Sequence, residues 1–183
     1  GVVVDMVGKA VWLHSSDGPE VTSIDGETLS HGIRCGSGET GKTIIDGFSV
    51  TNGLGGGVSC GVGSSIIANC RIFGNGMSDY PYSPTGGGIY VNFYSNATIV
   101  NCDVFDNHVS GYCSPPPGLG GAYGGGIYVN HYSNVTIENC RIFDNSVING
   151  CGYGGGLYIA SINNVSLLNS TICGNSNNGV PDQ

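Results

Sequence analysis

Residues 86–107 and 124–145 are two renderings of one phrase. The first opens Gly86-Gly87-Gly88-Ile89-Tyr90-Val91-Asn92 and closes Thr98-Ile99-Val100-Asn101-Cys102-Asp103-Val104-Phe105-Asp106-Asn107. The second opens at Gly124 and closes Thr136-Ile137-Glu138-Asn139-Cys140-Arg141-Ile142-Phe143-Asp144-Asn145. Weaker copies run from Gly55 to Asn75 and from Gly154 to Asn175. A unit of this length cannot bury its apolar face alone, so the copies must stack on one another, and the chain is an array without a central globular core.

Within a unit the apolar residues alternate as in strands. Ile89 and Val91 share one face and Tyr90 takes the other; after a polar turn a second strand runs through Thr98-Ile99-Val100. Asn101 bends the chain into a third, where Cys102 and Val104 face inward and Asp103 outward. Three short strands per unit, each meeting its equivalent one unit later, specify an all-β, single-stranded, right-handed parallel β-helix (a solenoid) with rungs about 4.8 Å apart. Counting degenerate copies at residues 8–26 and 32–53, the expectation is about six rungs in one domain over residues 1–183. Residues 1–53 form the less regular rungs, 54–176 the regular repeats and 177–183 a tail. Asn75, Asn107, Asn145 and Asn175 fall in one column, where amides can bond each other and the turn backbone. Inter-repeat loops leave after that asparagine; the longest carries Tyr112, Cys113, Pro115, Pro116, Pro117 and Tyr123.

Composition agrees. Thirty-four glycines and only 10% charged residues suit stacked strands and turns and exclude a helical enzyme. The net charge of −8 argues against a nucleic-acid partner, and no apolar run is long enough to insert in a membrane. The opening Val2-Val3-Val4-Asp5-Met6-Val7 already reads as strand, so the chain is expected to be a fragment of a larger protein, flanked by further domains. Cys70, Cys102 and Cys140 occupy one repeat position and read as a column of small apolar side chains; no paired Cys-x-x-Cys exists to hold zinc. Cys113 and Cys151, in successive loops, are the first disulfide candidates, with Cys35 and Cys60 next, which implies an oxidising, extracellular or cell-surface location.

With these motifs in view, the chain resembles the right-handed β-helix repeats of the pectin-lyase-like superfamily, most closely the modules of large secreted bacterial proteins. It is more distantly similar to the repeats of chlamydial polymorphic outer-membrane proteins, whose Phe-x-x-Asn slot is filled here by Ile72, Val104, Ile142 and Ile172. The superfamily contains polysaccharide lyases, glycoside hydrolases and non-catalytic adhesins, so the resemblance implies the fold and leaves the activity open. The Asn-Thr-Asp, Asp-Asp, Gly-His-Gly and Arg-Ile-Lys signatures of the polygalacturonases are absent, as is the calcium nonapeptide Gly-Gly-x-Gly-x-Asp. No cofactor is expected, and Ca2+ has no motif to hold it.

Candidate chemistry lies on outward columns. Tyr90, Tyr128 and Tyr158 form one and Tyr94 and Tyr132 a second, with His131 beside them, an aromatic and polar strip suited to a polysaccharide or surface glycan. Arg71, Asp103 and Arg141 share a column and read as a salt-bridge ladder. Asp106 and Asp144 are equivalent residues on adjacent rungs, and carboxylates about 5 Å apart are the arrangement of retaining glycosidases; the same column holds Gly74 and Gly174, which points to turn chemistry instead. The Asn-x-Thr/Ser matches at Asn96, Asn134, Asn164 and Asn169 follow from the repeat itself. The leading expectation is a secreted or cell-surface non-catalytic module, a rigid spacer or adhesive face that binds glycans. The alternative is a polysaccharide lyase or glycoside hydrolase with Asp106 and Asp144 as its carboxylates.

Overall fold

The computed structural model describes residues 1–28, 31–78, 84–111, 121–148, 152–177 and 180–181. Among them every regular element is a strand. Apolar alternation turns one side of each strand inward, and each strand pairs in parallel, in register, with its equivalent on the next rung: Ile89 beside Ile127, Ile99 beside Ile137, Val104 beside Ile142.

The strands stack into four sheets, one per face of a parallel β-helix. The first sheet comprises Val2–Asp5, His31–Cys35, Val58–Cys60, Ile89–Val91, Ile127–Val129 and Leu157–Ile159. The second comprises Trp12–His14, Glu39–Asp46, Gly63–Ala68, Ser95–Val100, Asn134–Glu138 and Asn164–Leu168; the third Ser23–Asp25, Ser49–Thr51, Arg71–Phe73, Asp103–Phe105, Arg141–Phe143 and Thr171–Cys173. Six strands in each of these sheets give the expected six rungs. The fourth sheet (Gly76–Ser78, His108–Ser110, Ser146–Ile148, Ser176–Asn177, then antiparallel Val180–Pro181) corrects the three-strand reading. Its strands carry at most one inward apolar residue each, and Ser176–Asn177 none, too little alternation to show in sequence. Val109 and Val147, with Ala122 and part-buried Met77, make a small core of their own beside the main one.

The main core is a set of columns: Ile33-Val58-Ile89-Ile127 on the first sheet, Ile45-Ile67-Ile99-Ile137 on the second and Val50-Ile72-Val104-Ile142 on the third, all essentially without solvent contact. Each fully buried side chain of this kind stabilises the stack by about 1.5–3 kcal/mol. Corners are as specific as faces. At the corner between the third and fourth sheets, Asn75, Asn107, Asn145 and Asn175 are buried, and each Oδ1 accepts a backbone N–H from the rung before. Their Nδ2 groups donate to carbonyls of their own rung and of the preceding one, 2.8–3.1 Å away. The glycine triplet that follows fits against this ladder. Gly124 adopts φ +65°, and a Cβ on Gly126 would fall 2.8 Å from Asn145 Nδ2 and 2.6 Å from the Gly156 carbonyl oxygen.

The cysteine column is as expected: Cys70, Cys102 and Cys140 are each 1% exposed, their thiols donating to the carbonyls of Ala68, Val100 and Glu138 at 3.1–3.2 Å. Cys35 and Cys60 are register partners, yet both thiols are free, which corrects their assignment as a disulfide. They fill the inward slot that Val91 and Val129 take on later rungs. Burial raises both thiols, Cys60 to about 11 and Cys35 further. Cys113, Cys151 and Tyr112 lie outside the described residues.

Candidate functional site

Tyr90, Tyr128 and Tyr158 lie in register on the outer side of the first sheet, with ring centroids 5.6 and 5.5 Å apart. The column is largely covered, which changes the sequence expectation. Tyr128 is only 9% exposed, and Tyr90 OH is held between Asn92 Oδ1, to which it donates at 3.0 Å, and Asn130 Nδ2, from which it accepts at 3.1 Å. Burial pushes the Tyr128 phenol up to about 12, with Tyr90, Tyr158 and Tyr123 opposing the phenolate; burial also raises Tyr90 and Tyr123. These phenols are therefore neutral hydrogen-bonding groups at physiological pH.

The second column sits at the turn from the first sheet to the second. Tyr94 and Tyr132 occupy left-handed positions (φ 56° and 60°), are 60% and 47% exposed, and stack 5.2 Å apart at 8°. Their neighbours Phe93 and His131 stack at 5.7 Å and 20°. In such a stack each ring covers one face of the next, so that face is taken up within the pair. The columns thus offer less free aromatic face than separate rings would.

Tyr123 provides what the columns lack. It precedes the glycine triplet and bridges in parallel to Thr85 on one side and Tyr153 on the other. Its ring leans over the first column, tilted 54° to Tyr128 at 6.3 Å and 47° to Tyr158 at 4.9 Å, and stacks on exposed Tyr153 at 6.1 Å. Between the tilted rings and the turn lies a cleft of about 260 Å³ lined by Tyr123, Tyr128, His131, Tyr158, Ala160 and Ser161. His131 Nδ1 is 2.8 Å from the Ser161 carbonyl oxygen. A carbonyl only accepts, so Nδ1 carries the proton, and in the neutral ring Nε2 keeps an acceptor lone pair.

The cleft unites His131, Tyr128 and Tyr158, named from sequence, with Tyr123, noted only as a loop residue, and Tyr153 beside it, which sequence reasoning missed. Their signal was Tyr-Gly-Gly-Gly, written twice at 123–126 and 153–156. Tyr90, Tyr94 and Tyr132 stand outside its lining.

The other candidates serve the fold. Asp106 and Asp144 sit at φ 52° and 53°, in the corner position that Asn52, Gly74 and Gly174 fill with positive φ on other rungs. Asp and Asn tolerate this conformation better than other side chains, and that accounts for both residues. The charge ladder forms only in part: Arg141 pairs with Asp103, whereas Arg71 turns to Glu20 at 2.7 Å. Both guanidinium groups lie over an unforeseen column of outward phenylalanines, Phe73, Phe105 and Phe143, stacked at 5.0 Å. On the second sheet Asn96, Asn134 and Asn164 are in register and exposed, with Asn134 Nδ2 donating to Asn96 Oδ1 at 2.8 Å. Among the described residues no cluster of three His, Cys, Asp or Glu side chains is arranged to hold a metal ion.

The sequence pattern of the family described as "right handed beta helix region" matches residues 8–181. No curated protein and no solved structure matches the chain.

Proposed function

The chain belongs to the right-handed β-helix family, and on that premise we propose that it is a non-catalytic, carbohydrate-binding module of a secreted or surface-attached protein. The observation that carries this reading is the cleft in which Tyr123 is tilted against Tyr128 and Tyr158. Tilted rings offer an apolar surface beside phenolic and imidazole hydrogen-bonding groups, the combination a pyranose ring requires. Tyr123 and Tyr153 follow in sequence on inter-repeat connections, where recognition is usually sited. Asp106 and Asp144 are assigned to the corner turn, and the reading uses no acid and base pair.

A glycan array with the wild-type chain, Tyr123→Ala and Tyr158→Ala tests it. Binding by the wild type that falls at least tenfold in both variants is the expected result. A wild-type chain that binds no carbohydrate, or variants that bind as well as it does, would leave a rigid spacer.

A further inference from the structure

Resting on the reading of the cleft as a carbohydrate site, we propose that its ligand is an uncharged sugar, one ring per cleft, and that His131 sets this preference against uronic acids and other carboxylated sugars. None of the six lining residues is a Lys, Arg, Asp or Glu. The surrounding chain extends this absence. Residues 108–137 and 145–181, which include the connections that lead in sequence to Tyr123 and Tyr153, contain no Lys, Arg, Asp or Glu at all. However those connections are placed, they bring no cation to the site.

The five basic residues of the chain are committed elsewhere. Arg34, three rungs before Tyr128 in the same outward column, is paired with Asp5. Arg71 and Arg141 are on the third sheet, against Glu20 and Asp103. Lys9 and Lys42 belong to the first two rungs. A carboxylate entering the cleft would shed part of its hydration with no opposite charge to meet it, and would do so against a net charge of −8.

The polar groups present favour hydroxyls. With Nδ1 bound to the Ser161 carbonyl, the neutral imidazole presents an acceptor at Nε2. A sugar hydroxyl has a proton to donate to it; a carboxylate has none and would face a second lone pair. The neighbouring phenols, kept neutral by burial, can donate to ring or hydroxyl oxygens. Size sets the number of rings. At about 260 Å³ the cleft is just below the range of roughly 300–1,000 Å³ typical of drug-sized ligands, so it holds one ring, with the rest of a chain outside.

The test is calorimetric titration at neutral pH with pairs of oligosaccharides that differ only by oxidation of C6: galactose against galacturonate, and glucose against glucuronate. For the wild type the neutral member of a pair should bind about tenfold more tightly or better, the gap narrowing in high salt as long-range repulsion is screened. His131→Ala should weaken neutral binding about three- to tenfold, the net worth of one hydrogen bond. His131→Arg should raise uronate affinity above that of the neutral partner, because it puts the missing cation on the wall. Equal or tighter binding of uronates by the wild type overturns the inference while leaving carbohydrate binding intact; so does His131→Arg without a gain for uronates. Failure of the wild type to bind any member of either pair removes the carbohydrate reading itself.

Discussion

Asn107 gives the sharpest test of how the rungs are held. It is fully buried; its Oδ1 accepts the Asn75 backbone N–H at 3.1 Å, and its Nδ2 reaches the carbonyls of Ile72 at 2.8 Å and Phe105 at 3.0 Å. Asn107→Ala leaves the Asn75 N–H without a partner in the interior, which alone costs about 1–3 kcal/mol. The two carbonyls each lose a donor, and the vacated amide volume adds a smaller penalty. A total near 3 kcal/mol follows, or a fall in midpoint of about 6–12 °C for a chain of this length. Differential scanning calorimetry of wild type, Asn107→Ala and Asn96→Ala measures it, the last removing an exposed amide on the second sheet at a cost within about 0.5 kcal/mol. Asn107→Asp is the harsher probe. It discards both donors and sets a charge against carbonyl oxygens, so its folded pKa rises. The associated destabilisation is greatest above that pKa and eases as pH falls and the carboxyl protonates. If Asn107→Ala melts within a degree or so of Asn96→Ala, the ladder is a consequence of the stack and not one of its supports.

Three further outcomes are expected. Asp144→Asn should change stability by less than about 0.5 kcal/mol, whereas Asp144→Val, a β-branched residue forced to φ near +53°, should cost about 1–2 kcal/mol in a urea titration; equal effects would refute the turn assignment. Peptide mapping after brief alkylation of the native chain should find Cys173 modified and Cys35, Cys60, Cys70, Cys102 and Cys140 protected until denaturant is added, because only Cys173 among these is exposed. The hydrogen bond from Arg34 holds the Asp5 carboxyl below the usual carboxylate range. The pair therefore favours the folded state above the ordinary carboxylate pKa, and the contribution disappears as pH falls through the depressed folded value. An NMR titration of Asp5 that does not move upward in Arg34→Gln would contradict this.

Much of the fold was legible because a β-helix writes each structural demand once per rung. An inward slot admits Ile, Val or Cys, a corner admits Asn, and a positive-φ turn admits Gly, Asn or Asp; four or more repetitions make each rule visible. The fourth sheet escapes the pattern for the converse reason: Val109 stands alone between His108 and Ser110, Val147 is followed by the exposed Ile148, and three residues carry no period. Phe73, Phe105 and Phe143 fall on outward positions, where sequence alternation alone does not separate a stacked column from ordinary surface. Cys35 and Cys60 read as disulfide candidates in sequence because a count of cysteines says nothing of depth, whereas both fill an interior column.

The amino-acid sequence by itself determined the solenoid, its rung count, the asparagine and cysteine columns and the absence of charge over residues 108–137 and 145–181. These are one-dimensional properties, set by period and composition. Only the tertiary structure decided which tyrosines can meet a ligand. Register stacks Tyr94 on Tyr132 and takes up one face of each, while Tyr123 tilts one ring across two others and opens a cleft beside His131. Ring orientation depends on the packing of residues from two rungs and an intervening loop, and no repeat pattern along the chain carries that angle.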